Sequence, residues 1–206
     1  MRKLALLVLV VVFGWSSGAS AVPIVVKNIA TGIDDVTGQK LSYLTPDDDY
    51  LIGDGSAEGV GLTPHSSPFY DFTDNASSAS RFIAIDIDHP ESAHSNGAAM
   101  AAVGTYSFIT TVDLTGFVAT SAQIENVRYQ ADNLLAELVI NGTSVFSQTV
   151  SEPAASSVNE LDQFYSIGTV GLGLMQTGLN SVEFKVYNAL WDGDNANPMG
   201  FRVEGL

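Results

Sequence analysis

The chain has 206 residues, and its 23 acidic residues outnumber the eight basic ones, so its formal net charge is −15. A surface of this charge repels nucleic acid and anionic lipid, so neither is expected as a partner. The chain has no cysteine, which excludes disulfides, thiol catalysis and thiolate metal sites.

Residues 1–21 have the pattern of an export signal. Arg2 and Lys3 precede an apolar run over residues 4–13, and the small residues of 17–21 follow it. The run is shorter than the about 20 residues that span a bilayer, so no membrane insertion is expected after cleavage. We therefore expect a secreted mature chain, residues 22–206, forming one domain. Its six basic residues would face 23 acidic ones, a net charge of −17.

Alternation of apolar and polar residues predicts short strands along most of the mature chain. The predicted strands cover residues 24–28, 81–88, 104–114, 123–129, 134–140, 144–150, 181–187 and 200–204. Short strands separated by turn-forming residues are typical of an all-β, antiparallel β-sandwich. Residues 45–75 and 89–102 have few strand signals, so we expect loops there, where binding sites usually lie.

The clearest local signal is a hairpin. The alternating residues 134–140 run directly into Asn141 and Gly142. Both residue types tolerate the positive φ that a two-residue type I′ turn requires. The sequence therefore predicts that 134–140 and 144–150 pair as antiparallel neighbours. Just upstream, Asp132 and Asn133 are expected to serve turn structure rather than a ligand.

Several segments in fixed order resemble a group of exported bacterial β-sandwich proteins, many of which carry a PEP-CTERM sorting tail. The matching segments are 45–50 (TPDDDY), 76–83 (ASSASRFI), 104–116 (GTYSFITTVDLTG), 131–133 with 141–142, 178–180 (GLN) and 197–204 (NPMGFRVE). Phe82 stands where the group usually has Trp, and Phe201 where it usually has Leu. The chain ends at Leu206 without a Pro-Glu-Pro tail, so anchorage by a sorting tail is not expected.

The resemblance implies a jelly roll of the galactose-binding-domain type and an extracellular or cell-surface location, with a looser link to glycans. Related jelly rolls often hold a structural calcium ion between an N-terminal loop and the final strand. By that resemblance Asp47, Asp49 and Glu204 form a candidate calcium set. Calcium prefers six to eight oxygen ligands, which clustered carboxylates supply. The alternative is that residues 47–49 form a solvated acidic turn.

The segment 191–195 (WDGDN) is a candidate carbohydrate site. Trp191 is the only tryptophan of the mature chain, and sugars stack on aromatic rings. Asp192, Asp194 and Asn195 would accept hydrogen bonds from sugar hydroxyls, or the two aspartates would bind calcium. Alternatively, Trp191 packs under its own loop.

Nothing in the sequence indicates catalysis, because the chain has no nucleophile elbow, zinc-protease motif or phosphate-binding glycine loop. The leading expectation is a non-catalytic extracellular-matrix or surface protein that associates with glycans or exopolysaccharide. A second hypothesis is a subunit that assembles into an extracellular filament or coat, with the strand-like leader 22–28 added to a neighbour's sheet. A third, a glycoside hydrolase using paired carboxylates, is weaker because a chain with 23 acidic residues always offers some plausible pair.

Overall fold

The computed structural model describes residues 26–41, 46–52, 58–61, 66–67, 70–71, 80–84, 100–151, 160–189 and 196–205. Within these ranges the protein is all-β, and the only helical element is a 3-10 turn at Ala119–Ser121. The strands are β1 (Pro46–Ile52), β2 (Glu58–Gly61), β3 (Ser66–Ser67), β4 (Tyr70–Asp71), β5 (Ile83–Ala84), β6 (Met100–Ala102), β7 (Gly104–Asp113), β8 (Ile124–Asp132), β9 (Leu134–Ile140), β10 (Thr143–Ser147), β11 (Glu160–Val170), β12 (Leu179–Asn188), β13 (Ala196–Pro198) and β14 (Gly200–Glu204).

Ten of these strands form one sheet in the order β10-β9-β12-β7-β1-β2-β5-β14-β8-β11. Every pair of neighbours in it is antiparallel. β13 pairs with β6, and β3 pairs with β4, in two small separate sheets. The prediction of an all-β antiparallel fold is confirmed.

The large sheet curls so that distant strands face each other. β7 and β14 are four steps apart in the strand order, which in a flat sheet is about 19 Å. Yet the ring centroids of Phe108 on β7 and Phe201 on β14 are 5.1 Å apart. Phe184 on β12 lies 5.2 Å from the same Phe201 ring. The concave side of the curled sheet therefore holds the hydrophobic core.

The strongest strand predictions are confirmed. β9 and β14 begin and end at the predicted residues, 134–140 and 200–204. β7 and β12 cover their predicted ranges almost completely, and buried residues alternate with more exposed ones along both strands. The buried apolar residues of these two strands are Phe108 and Val112 on β7 and Val182, Phe184 and Val186 on β12.

The predicted hairpin is also confirmed. β9 and β10 pair with Ile140 opposite Thr143, which leaves Asn141 and Gly142 as the two turn residues. Their φ angles of +49° and +79° are those that a type I′ turn requires. β10 ends at Ser147, three residues before the predicted end.

The prediction of a loop over residues 45–75 was wrong wherever the structure describes that segment, because residues 46–52, 58–61, 66–67 and 70–71 form β1 to β4. Tyr50 is fully buried, and Leu51 and Ile52 pair with β7. Burial of Tyr50 and pairing with two neighbouring strands outweigh the poor strand propensity of three successive aspartates. Residues 47–49 therefore lie on a strand and not in a solvated turn.

Other predictions also differ from the structure. Residues 26–28 form no strand; instead Ile29 and Thr31 donate backbone hydrogen bonds to the carbonyls of Gly205 and Val203. Residues 100–102 form β6 rather than a loop, and β11 was not predicted. Of the predicted strand 81–88, only residues 83–84 are strand in the described part.

Candidate functional site

An open cleft of about 490 Å³ lies between the N-terminal segment and the end of β7. Its lining residues are Val26, Lys27, Asn28, Asp35, Thr111 and Asp113. Thr111 and Asp113 are exposed residues on β7, because they alternate with the buried Thr110 and Val112. The cleft therefore has one wall from a strand and one from irregular chain.

Lys27 links the cleft to β1 and β7. Its Nζ donates hydrogen bonds to Asp49 Oδ1 at 2.7 Å and to Thr110 Oγ1 at 3.3 Å. The side chains of Lys27 and Asp49 are both largely buried, at 17% and 20% exposure. This ion pair holds the N-terminal segment beside β1 and places a positive charge at the base of an acidic region.

Asp35 and Asp49 form a carboxyl pair next to Lys27. Desolvation raises the pKa of Asp35 to about 6, and the hydrogen bond to Asp49 and the negative charge of Asp49 act in the same direction. The positive charge of Lys27 opposes this rise. Below about pH 6 the Asp35 carboxyl therefore holds a proton.

Asp47 lies deeper than the carboxyl pair. It is 1% exposed, and its carboxylate accepts hydrogen bonds from the backbone N–H groups of Gly32 at 2.6 Å and Asp49 at 3.2 Å. Burial raises its pKa to about 6, although both hydrogen bonds act to lower it. Asp47 therefore connects β1 to the N-terminal segment.

Glu204, the third predicted calcium ligand, contacts basic groups. Its Oε2 accepts from Arg128 Nε at 2.8 Å, and its Oε1 accepts from Ser80 Oγ at 2.7 Å. Arg202 Nη2 lies 4.0 Å from Oε1. Among the residues that the structure describes, no group of three or more His, Asp or Glu side chains has the arrangement to hold a metal ion. Asp47 and Asp49 thus lie together near Asp35, and the calcium set with Glu204 stays a prediction.

The predicted carbohydrate residues Trp191, Asp192, Asp194 and Asn195 lie outside the described residues. Their role in sugar binding, like the alternative of a Trp packed under its loop, stays a prediction.

Asp132 ends β8 and Asn133 lies between β8 and β9, and both are buried. Asn133 accepts a hydrogen bond from Ala189 N at 2.8 Å through Oδ1, and its own N–H donates to the Tyr187 carbonyl at 3.1 Å. Asn133 thus has a structural role, but its partners are distant in sequence, whereas the prediction was of local turn contacts. Burial raises the pKa of Asp132 to about 7.

Sequence reasoning missed the cleft residues Lys27, Asp35, Thr111 and Asp113. The exposed face of the predicted strand 104–114 does contain Thr111 and Asp113. The sequence therefore indicated that these two residues lie side by side on the surface. Asp35 is one of two successive aspartates in a glycine-containing stretch, which by itself indicates only a turn. That these residues meet follows from the tertiary fold alone.

Comparison of the chain with protein-family models, curated proteins and solved structures finds no match. The resemblance to exported bacterial β-sandwich proteins therefore stays a prediction. In the described part of the chain, no helix has the length and apolar character needed to cross a bilayer.

Proposed function

We propose that this chain is a secreted, non-catalytic β-sandwich protein of the galactose-binding jelly-roll type that associates with glycans or exopolysaccharide at the cell surface or in the extracellular matrix. The curl of the large sheet supports the sandwich. Phe108 and Phe184 on one half of the sheet pack against Phe201 on the other, as side chains of two facing layers do.

The polar cleft carries the proposal of glycan binding. Sugar hydroxyls both donate and accept hydrogen bonds, and the cleft offers both kinds of partner. Lys27 and Asn28 supply donors, and Asp35 and Asp113 supply carboxylate acceptors. Val26, which is 40% exposed, offers an apolar contact for a sugar ring face. The volume of about 490 Å³ falls within the range of about 300–1,000 Å³ that is usual for small-molecule sites.

Trp191, with Asp192, Asp194 and Asn195, is proposed as a second contact of the same ligand. A polysaccharide is long enough to use two contacts, and each contact alone can be weak when both act on one chain. The two candidate contacts can be separated by mutation, because none of these four residues is among the cleft residues that the structure describes.

Affinity electrophoresis of the mature protein, residues 22–206, in gels containing bacterial exopolysaccharides tests the proposal. We expect the gel-embedded polysaccharide to retard the wild type. Trp191→Ala and Asp113→Asn should each weaken binding by about tenfold. Glu125→Gln, an exposed position on β8 away from the cleft residues, is the matched control and should bind as the wild type does. Equal retardation of all four proteins, or none of any, contradicts the proposal.

Calcium is proposed as a structural ion at Asp47 and Asp49. Carboxylate oxygens are ligands that calcium prefers, and calcium would compete with protons for them. We expect calcium chloride to raise the melting temperature relative to EGTA, and Asp49→Asn to reduce that rise. An identical melting temperature with calcium and with EGTA rules out the structural ion.

Self-assembly by strand addition is the second candidate function, because the ten-stranded sheet ends at β10 and β11. The leader 22–28 was the predicted donor strand, but its residues 26–28 form no strand. The edges of the large sheet therefore support self-assembly better than the leader does. Light scattering and electron microscopy of the mature protein test it. Monomers at every concentration would exclude it.

A further inference from the structure

The outer edge of β10 (Thr143–Ser147) has no strand partner in the described part of the chain. β10 is the first strand in the order of the sheet and pairs with β9 alone. The backbone N–H and C=O groups on the side away from β9 are therefore a template for another strand.

This edge is electrically neutral in an otherwise acidic protein. The chain has a net charge of −15, yet residues 138–151 contain no Asp, Glu, Lys or Arg. They contain no proline either. Natural sheets commonly protect an edge with lysine, proline or a bulge. Of these three features β10 has only an irregularity of the bulge kind, a register shift between Ser144 and Phe146 in its pairing with β9.

β10 is held firmly against the rest of the molecule. The ring of Phe146 lies 6.0 Å from the ring of Tyr129 on β8, centroid to centroid. Beyond the strand, Gln148 Nε2 donates to Tyr129 Oη at 2.8 Å and to the Leu135 carbonyl at 3.1 Å. The Asn141–Gly142 turn fixes the other end. A partner strand would meet a preformed edge and would lose little conformational entropy in ordering it.

The opposite edge of the sheet, β11 (Glu160–Val170), is interrupted. Its pairing with β8 shifts register at three places, and Gly168 has a φ of +91°. Shifts of register disfavour the approach of another strand. Of the two edges, β10 is therefore the one suited to strand addition.

We propose that β10 pairs antiparallel with β10 of a second copy of this chain across a twofold axis. Antiparallel pairing across a twofold axis sets residue i of one strand opposite residue j of the other and j opposite i, so a net charge on the strand would bring like charges close together. An uncharged strand avoids that repulsion, and it lets two molecules of the same strong negative charge meet at a neutral contact.

The inference rests on the self-assembly candidate and names its partner and contact. A contact across a twofold axis uses up the edge of both copies, so assembly through it stops at two copies.

Sedimentation velocity of the mature protein tests the pairing. We expect a concentration-dependent dimer for the wild type. A variant with Thr143→Glu and Ser147→Glu, two exposed positions on β10, should dissociate at least about tenfold more readily. Thr169→Glu, at an exposed position on β11, is the matched control and should dimerise as the wild type does. Circular dichroism and melting temperature verify that each variant folds.

Single-cysteine variants test the geometry, because the chain has no cysteine of its own. Directly opposed residues of paired antiparallel strands have Cα atoms about 4.5–5.5 Å apart, within the range that a disulfide spans. Under mild oxidation, one of Thr143→Cys, Ser144→Cys and Ser147→Cys should cross-link into a dimer faster than the other two, and Thr169→Cys should not cross-link.

Three results overturn the inference. One is a wild type that stays monomeric, which also removes the self-assembly candidate. Another is cross-linking on β10 no faster than at Thr169. The third is an assembly larger than a dimer that persists in the Thr143→Glu, Ser147→Glu variant, which leaves self-assembly standing through another contact. Polysaccharide binding is measured separately, so its outcome is independent of all three.

Discussion

Asp132 is an acidic residue whose burial disfavours its charged form. It ends β8, it is 2% exposed, and burial raises its pKa from an ordinary 3.8 to about 7. The folded protein therefore keeps a proton on this carboxyl that the unfolded chain releases above about pH 4. Stability from this group is fully present below about pH 4 and is lost as the pH rises to about 7.

Asp132→Asn should remove this pH dependence, since asparagine is neutral at every pH. Each pKa unit corresponds to about 1.4 kcal/mol, so at pH 8 the variant should be more stable than the wild type by an amount on the order of 4 kcal/mol at most. Urea unfolding at pH 4, 6 and 8 measures the difference. Glu125→Gln, an exposed carboxylate on the same strand, is the control and should leave the slope unchanged. Parallel stability curves for wild type and Asp132→Asn contradict the prediction.

Asn180 joins three parts of the molecule with one side chain. Its Oδ1 accepts from Gln176 N and from Asn141 Nδ2, both at 2.8 Å. Its Nδ2 donates to the carbonyls of Gln176 at 2.8 Å, Gly178 at 2.9 Å and Val112 at 3.3 Å. The β9–β10 turn, the segment before β12 and the end of β7 are connected here.

Asn180→Ala should lower the free energy of unfolding by about 3 kcal/mol, because it leaves several buried backbone and side-chain groups without partners. The neighbouring Ser181 is exposed on the same strand, so Ser181→Ala should change stability by about 0.5 kcal/mol or less. Urea denaturation of both variants gives the comparison. Equal losses would mean that the Asn180 side chain is not a structural connection.

At the scale of elements, two glycines with similar backbone angles differ in the space around them. Gly142, in the β9–β10 turn, has a φ of +79°, and an added Cβ would have no atom within 4 Å. Gly32 has a φ of +65°, but an added Cβ would lie 2.6 Å from Arg81 Cβ and 3.1 Å from the Arg81 carbonyl oxygen. Strain of the backbone acts at both positions, and a steric clash acts only at Gly32.

Gly142→Ala should therefore cost about 1 kcal/mol, the penalty of a left-handed conformation for a residue with a Cβ. Gly32→Ala should cost at least about 2–3 kcal/mol, since the clash adds to the same penalty and disturbs the hydrogen bond from Gly32 N to Asp47. Thermal or urea unfolding ranks the two variants. A larger loss of stability for Gly142→Ala than for Gly32→Ala would show that the N-terminal segment moves to relieve the clash at little cost in free energy.

At the scale of the whole molecule, Phe201 connects the two halves of the curled sheet. It is fully buried on β14 and contacts the rings of Phe108 on β7 and Phe184 on β12. Phe201→Ala should destabilise the protein by about 3–5 kcal/mol, because it leaves a cavity where the two halves meet. Phe117→Ala, at a side chain 37% exposed, is the control and should cost much less. Similar losses of free energy of unfolding at the two positions would contradict a core centred on Phe201.

How far the sequence predicts the fold depends on the range of the interactions involved. β9, the Asn141–Gly142 turn and β14 follow from residues within a few positions of one another, so their bounds were predicted correctly. β1 was missed because its stability depends on partners distant in the chain. Gly32 N bonds to Asp47, and Lys27 pairs with Asp49. Local propensity could not reveal those contacts.

The candidate site shows the same division. The sequence by itself determined which residues are acidic, which strands alternate, and that Thr111 and Asp113 share the outer face of β7. Only the tertiary structure decided that these two lie beside Lys27 and Asp35, about 80 residues earlier in the chain. It also decided that Asp47 and Asp49 lie together and that Glu204 contacts Ser80 and Arg128. The physical reason is that strand periodicity is a local property, whereas burial, charge pairing and sheet curvature depend on which strands meet.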